Sequence, residues 1–203
     1  MSKVTVVLAT NNNGKLREYE LFFQKYPVKN KRLSEYKKII RFKEYGQTFE
    51  EIAIDKAQLS AKILGLPALA DDSGLEVEAL NGAPGIFSAR YAGEAADDYQ
   101  NNLKLLEEMK GKENRNAIFV CSIAIAKPSG QVFTYTGKCY GVILKEPAGK
   151  SGFGYDPLFY YPAFKKTFAQ ISVKEKSEVS HRGQALRKLG DDFNRILNWL
   201  QHS

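Results

Sequence analysis

Residues 68–93 read ALADDSGLEVEALNGAPGIFSARYAG, and the segments on either side take their meaning from this stretch. An apolar run, Leu66 to Ala70, leads straight into two adjacent carboxylates, Asp71 and Asp72, and then into a hydroxyl and a glycine, Ser73 and Gly74. The pattern predicts a short strand ending in side-by-side acids. Like charges that close raise each other's pKa and cost stability unless a cation sits against them. A hard metal ion is the simplest such cation. Beyond the acids, Asn81-Gly82 and Pro84-Gly85 mark successive turns, and Arg90 reads as a buried basic residue. An acid pair, tight turns and an arginine so close together describe a site rather than scaffold.

The flanks set the fold class. Upstream, Thr48-Phe49-Glu50-Glu51 opens a helix running to about Leu64, with Thr48 and Glu51 spaced as a capping box. Phe49, Ile52, Ala53, Leu59 and Ile63 supply its core face, and Gly65-Leu66-Pro67 stops it before the acid strand. Glu51 is therefore either a helix cap or a carboxylate delivered beside Asp71 and Asp72. Downstream, Tyr99, Leu103, Leu106 and Met109 fall at helical spacing within 97–111. Two long strands follow, Ala117 to Ala126 and Val132 to Leu144, joined by Pro128-Ser129-Gly130 as a hairpin. Helices feeding strands, plus one antiparallel hairpin, predict an α/β fold with a mixed sheet.

At the amino end, Lys3 to Thr10 is a β-branched run that stops at Asn11, Asn12, Asn13 and Gly14, with a helix from near Lys15 whose core face is Leu16, Tyr19, Phe22 or Phe23, and Tyr26. A strand, a Gly-containing loop and a helix N-terminus form a ready anion site. The loop is not a Walker A motif, since Ala9 and Leu16 stand where that motif needs Gly and Ser or Thr. Thr10, the three asparagines and Lys15 suit a phosphate or a nucleotide edge, and serve equally as a plain turn. Residues 28–47 are basic and weakly patterned, with one short strand expected at Ile39 to Phe42.

The chain has 203 residues, 43% hydrophobic and 26% charged, which describes an ordinary globular protein of one domain. No apolar run approaches the ~18 residues of a membrane span, and the first residues turn polar too early for a signal peptide. The expected compartment is the cytoplasm. Cys121 and Cys139 sit in strand-like segments and read as small buried hydrophobes rather than a disulfide or zinc site. A net charge of +7 favours a polyanionic partner, or simply a solvated basic surface, because the lysines and arginines are spread along the chain.

Two further stretches stand out. Residues 151–159, SGFGYDPLF, combine exposed glycine backbone with Phe153 and Tyr155, faces on which a planar ring stacks; the same composition also makes an aromatic turn packed on the core. After a polar segment, Lys174 to Ser180, a long amphipathic helix runs through Leu186, Leu189, Phe193, Ile196 and Leu200, with Ser180 as N-cap. His181 and Arg182 then occupy its first turn, where a cation is favourable only if an anion or a carbonyl-rich ring meets it. Acids Glu51, Asp71 and Asp72, cations Lys15, Lys56, Lys176 and Arg182, and a Gly-aromatic loop together suit a nucleoside triphosphate held with Mg²⁺, which takes one or two carboxylates plus substrate phosphates.

The pieces ATNNNGK (9–15), TFEE (48–51) followed by Lys56-Ala57, the 68–93 stretch, EPAG (146–149) with SGFGYDPLF, and EKSEVSHRGQAL (175–186) resemble the inosine triphosphate pyrophosphatase family nearly end to end. The long central stretch looks like its bacterial branch. The resemblance implies a single domain over 1–203, an elongated twisted mixed sheet with flanking helices forming two lobes around a central cleft. It implies cleavage of ITP, dITP or XTP between the α and β phosphates, giving the monophosphate and pyrophosphate. By the same carry-over, Glu51 and Asp72 hold Mg²⁺, Asp72 accepts the proton of the attacking water with Asp71 close by, and Lys56 is a supporting residue of the site. Thr10, Asn11, Asn12, Asn13, Gly14, Lys15 and Ser73 bind substrate, Phe153, Gly154, Tyr155 and Asp156 flank the base, and Lys176, His181 and Arg182 close over phosphate and purine. It further implies a homodimer acting on free nucleotides, with no membrane and no stable nucleic-acid partner.

Two positions depart from the family pattern: Ile52 stands where Asn is common, beside Glu51, and Asn11 where Gly is frequent. Two other readings compete. A pyrophosphatase of related fold acting on modified pyrimidines keeps the phosphate chemistry, whereas a nucleic-acid-binding module leaves Asp71 and Asp72 repelling the partner it needs.

Overall fold

The computed structural model describes residues 3–37, 40, 42 and 46–202. Strand β1 (Val4–Leu8) runs into helix α1 (Asn13–Phe23), capped by Asn12, whose side chain accepts the Lys15 N–H. Strand β2 (Val28–Arg32) pairs parallel with β1, Val4 opposite Val28. Helix α2 (Phe49–Leu64) ends at Gly65 in a left-handed conformation and feeds strand β3 (Ala68–Val77), parallel to β1 with Leu8 opposite Leu69. Helix α3 (Asp98–Glu108) precedes strands β4 (Asn116–Ala126) and β5 (Val132–Ile143), whose turn is closed by Lys127 N–H on the Gln131 carbonyl at 2.9 Å. Short strands β6 (Phe159–Tyr161) and β7 (Lys166–Thr167) are antiparallel additions. The seven strands lie in the order β2-β1-β3-β4-β5-β6-β7, the mixed sheet that the sequence predicts.

Three differences from the expected elements have physical causes. The strand β2, VKNKR, was not foreseen because its lysines and arginine hide the apolar pattern; it is an edge strand, where such charges discourage pairing with another chain. Of the strand expected at Ile39 to Phe42, residues 39 and 41 lie outside the described residues. The polar segment before Ser180 is itself a helix, α4 (Val173–Val179), started by a reciprocal capping box between Ser172 and Glu175. The long terminal helix is two: α5 (His181–Asp191) and α6 (Phe193–Gln201). The division falls at Asp192, whose backbone (φ −97, ψ 4) leaves the helical region, and its carboxylate accepts from Tyr135 Oη at 2.6 Å and from Arg195. The apolar face nevertheless persists through Leu186, Leu189, Phe193 and Ile196, all buried.

Two compact units divide the chain, one of 1–72, 122–136 and 185–203, the other of 73–121 and 137–184. The first packs Ala53, Ala57 and Ala61 of α2 against Ala68, Ala70, Ala124 and Ala126 of the sheet, side chains small enough for close approach of helix to strands. Leu59, expected in that face, points to solvent instead. The second unit has an aromatic core of Phe119, Tyr155, Phe159 and Phe168 with Leu75, Leu105 and Met109. There α3 buries Asn101, Asn102 and Leu105, with Met109 buried just past its end, while Tyr99 and Leu103, expected inward, are 70% and 48% exposed. Cys121 and Cys139 are both buried. Among the described residues no helix is long and apolar enough to cross a membrane.

Candidate active site

The acid pair sits inside β3 rather than at its end, since the strand continues to Val77. Successive side chains of a strand point to opposite faces, and each acid meets its own lysine in the first unit. Lys15, from the first turn of α1, lies 2.9 Å from Asp71 Oδ2, and the Asp71 side chain is wholly buried. Lys56, two turns along α2, donates to Asp72 Oδ1 at 2.7 Å, with both side chains almost buried. The cations that the pair requires are therefore supplied by the chain. Burial pushes the Asp72 carboxyl above the usual aspartate value, against the pull of Lys56 and Lys15, with Asp71 adding a smaller upward push.

Glu51 occupies the first turn of α2 and is exposed. Only half of the expected capping box forms: Thr48 Oγ1 accepts the Glu51 N–H, but Glu51 Oε2 takes the N–H of Gln47 at 2.7 Å rather than that of Thr48. Gly46 lets this turn lie close, because a Cβ there would stand 2.9 Å from Glu51 Cβ. The remaining oxygens, Glu51 Oε1 and Asp72 Oδ2, are hard donors of the kind Mg²⁺ takes beside substrate phosphates, so the donor set fits that ion. Among the described residues there is no group of three His, Cys, Asp or Glu able to hold a metal alone. Thr10, Asn11, Asn12, Asn13 and Gly14 make the turn before Lys15, in which Thr10 Oγ1 accepts the Asn12 N–H at 3.2 Å. Thr10 and Gly14 are half-buried and the asparagines exposed.

Ser73 opens the second unit, and Arg182 Nη2 donates to its hydroxyl at 2.9 Å. Arg182 is 1% exposed and fully buried, whereas Arg90, expected to be buried, is only half-buried, over the Phe87 ring. Ser180 Oγ accepts the Gly183 N–H at 3.1 Å, the bond of an N-cap, and so fixes the turn carrying His181 and Arg182. His181 is buried with its ring stacked on Phe119, centroids 4.6 Å apart.

The 151–159 loop is braced from beneath. Asp156 is buried, accepts the Phe153 N–H at 2.9 Å and pairs with Lys176 at 2.6 Å. Gly152 is required there, because a Cβ would meet Asp156 Oδ2 at 2.1 Å. The Phe153 ring carries Lys176 Nζ 4.4 Å and the Arg182 guanidinium 5.8 Å from its centroid, a cation–π arrangement. Tyr155 does not offer a stacking face: it belongs to the core, its hydroxyl donating to the Ser88 carbonyl at 2.8 Å. Ser88 Oγ also accepts the Leu75 N–H, so the 81–93 segment buttresses both β3 and the loop.

Sequence reasoning missed two residues at this loop. Asp98 Oδ2 accepts the Gly154 N–H at 2.6 Å, and Asn102 Nδ2 donates to the Gly154 carbonyl at 2.9 Å. The signal available was the pair Asn101-Asn102 inside a helix, an unfavoured place for asparagine unless its amide is engaged.

A sequence profile of the Ham1 family matches residues 6–192. The dITP/XTP pyrophosphatase of Desulfotalea psychrophila is 52% identical over 196 residues, 97% of this chain and 88% of that protein. That of Syntrophobacter fumaroxidans is 52% identical over 98% of this chain and 86% of its own. Among solved structures, a HAM1 protein from Coxiella burnetii aligns with a TM-score of 0.88 and 42% identity, covering 95% of this chain and 99% of that one. The Ham1 protein of Staphylococcus aureus gives 0.86 and 41% over the same shares. The resemblance carried by the sequence motifs is thus borne out over nearly the whole chain, which belongs to the Ham1 family.

Proposed function

We propose that the chain is a phosphoanhydride hydrolase converting non-standard purine nucleoside triphosphates, ITP, dITP and XTP, to the monophosphate and pyrophosphate. The observation carrying this reading is the pair of acid–lysine contacts on consecutive residues of β3, Asp71 with Lys15 and Asp72 with Lys56. The dITP/XTP pyrophosphatase names of relatives 52% identical to the chain support it.

Asp72 accepts the proton of the attacking water, and Lys56 holds its carboxylate oriented and ionised against the upward push of burial. Lys15 and the 10–14 turn receive phosphate oxygens through the ammonium and free backbone N–H groups at the α1 start. Glu51 and Asp72 hold Mg²⁺, which when bound offsets phosphate charge and polarises the phosphorus under attack. In the second unit the Phe153 ring stacks on the purine, while Lys176, His181 and Arg182 offer donors to its 6-oxo group. Adenine presents an amino group there and leaves those donors unpaired, which is the costly kind of mismatch. Asp71 and Asp156 support, each by holding a lysine. The working form is a cytoplasmic homodimer acting on free nucleotides.

The test is pyrophosphate release from ITP, dITP, XTP, GTP, ATP and modified pyrimidine triphosphates with Mg²⁺. Preference for the first three is expected. Equal turnover of ATP and ITP would remove the selectivity, preference for the pyrimidines would move the substrate class, and no release from any would sink the reading.

A further inference from the structure

Helix α3 contributes nothing to the phosphate chemistry, yet its first turns hold one glycine of the 151–159 loop by both of its peptide groups. Asp98 Oδ2 accepts the Gly154 N–H at 2.6 Å, and Asn102 Nδ2 donates to the Gly154 carbonyl at 2.9 Å. The same amide nitrogen also donates to the Asp98 carbonyl at 2.7 Å, tying the two clamping residues together. Asn102 is 9% exposed, and its Oδ1 is buried without a hydrogen-bond partner. A buried unmet acceptor is a cost that an apolar residue at this helix position would avoid. The position is therefore better accounted for by its hold on Gly154 than by packing.

Gly154 itself has φ +60 and open space where a Cβ would stand. Glycine is free to leave that conformation, and a released peptide could turn either its N–H or its carbonyl outward. The distinction matters for a purine site. Adenine and hypoxanthine differ at position 6 as donor and acceptor, so a loop able to turn a carbonyl outward would satisfy the amino group of adenine.

We propose that Asp98 and Asn102 are positioning residues for purine selectivity: by occupying both peptide groups of Gly154 they deny a 6-amino purine an acceptor, and they hold the neighbouring Phe153 in place. The inference rests on the base-binding part of the function proposed above. It concerns residues that touch no substrate.

The test uses the full chain as the parent and as Asp98→Ala, Asp98→Asn and Asn102→Ala. Binding of IMP and AMP is measured by titration calorimetry, and ITP and ATP turnover by pyrophosphate release. Losing one charge-assisted hydrogen bond corresponds to roughly tenfold in an equilibrium. Asp98→Ala is expected to lose about tenfold of the IMP-over-AMP preference and Asn102→Ala, which loses a neutral bond, about fivefold, each raising KM for ITP by a similar factor with kcat changed less than about threefold. Asp98→Asn retains an acceptor oxygen and is expected to keep most of the preference. The clamp is overturned if Asp98→Ala keeps the preference, if IMP and AMP weaken equally, or if Asp98→Asn behaves like Asp98→Ala. Should the parent prefer IMP but release no pyrophosphate, the reaction assigned above fails and the binding ratios alone decide the clamp. A parent binding IMP and AMP equally overturns the clamp itself.

Discussion

Asp72 is held in a conflict of two large effects, removal from water and attraction to Lys56 at 2.7 Å, and burial prevails. The sign of the stability effect follows. An acid whose folded-state pKa lies above its unfolded value binds its proton more tightly when folded. Stability then falls as pH rises between the two values and stays lower above them. At pH 7 the ionised carboxylate is a net cost to folding that its chemistry justifies. Asp72→Asn is nearly isosteric, and its amide oxygen still accepts from Lys56. In metal-free buffer at pH 7 its thermal midpoint is expected to equal or exceed the parent's, with the gap closing as pH falls toward the unfolded aspartate value of about 3.9. Its turnover of ITP should drop by about 10²- to 10⁴-fold, the usual contribution of a general base. A clearly lower midpoint at pH 7 would show that the Lys56 contact outweighs burial, and retained turnover would move the base to Asp71. The acids themselves were legible in the sequence because charge in an apolar strand has few explanations. Their lysine partners were not assigned to them, because contacts between residues 15 and 71, or 56 and 72, depend on the docking of separate elements.

At the level of elements, strongly periodic segments were readable and locally capped ones were not. The span of α2 and the β4–β5 hairpin follow from pattern alone, whereas α4 depends on a Ser172–Glu175 capping box in a segment with little apolar content. The junction of α4 and α5 adds a constraint invisible in one dimension. A Cβ on Gly183 would stand 1.9 Å from the Ser177 carbonyl oxygen, so only glycine lets the His181–Arg182 turn start where it does. Gly183→Ala must open that junction, and overpacking of a close backbone contact typically costs about 1–3 kcal/mol. The expected result is a lower thermal midpoint together with a raised KM for ITP, since Arg182 moves with the turn. A midpoint matching the parent's would mean that the two helices separate freely and that the close approach does not constrain the site.

For the whole molecule the relevant quantity is a net charge of +7 spread along the sequence. The composition alone allows two meanings, a solvated surface or attraction to a polyanion. Several of the lysines have local work: Lys15, Lys56 and Lys176 pair with Asp71, Asp72 and Asp156. The excess therefore resides in the remaining cations, and long-range attraction from exposed charges is screened over about 10 Å at 0.1 M salt. If that excess gathers triphosphates, KM for ITP should rise severalfold between about 50 and 500 mM KCl while kcat stays within about twofold, because the buried acid–lysine pairs are screened far less than surface charges. The thermal midpoint should hold or rise over the same range, as salt relieves the self-repulsion of a cationic chain. A KM indifferent to salt would assign the charge to solubility. A falling kcat at constant KM would instead point to salt acting on the acid–lysine pairs, which their burial argues against.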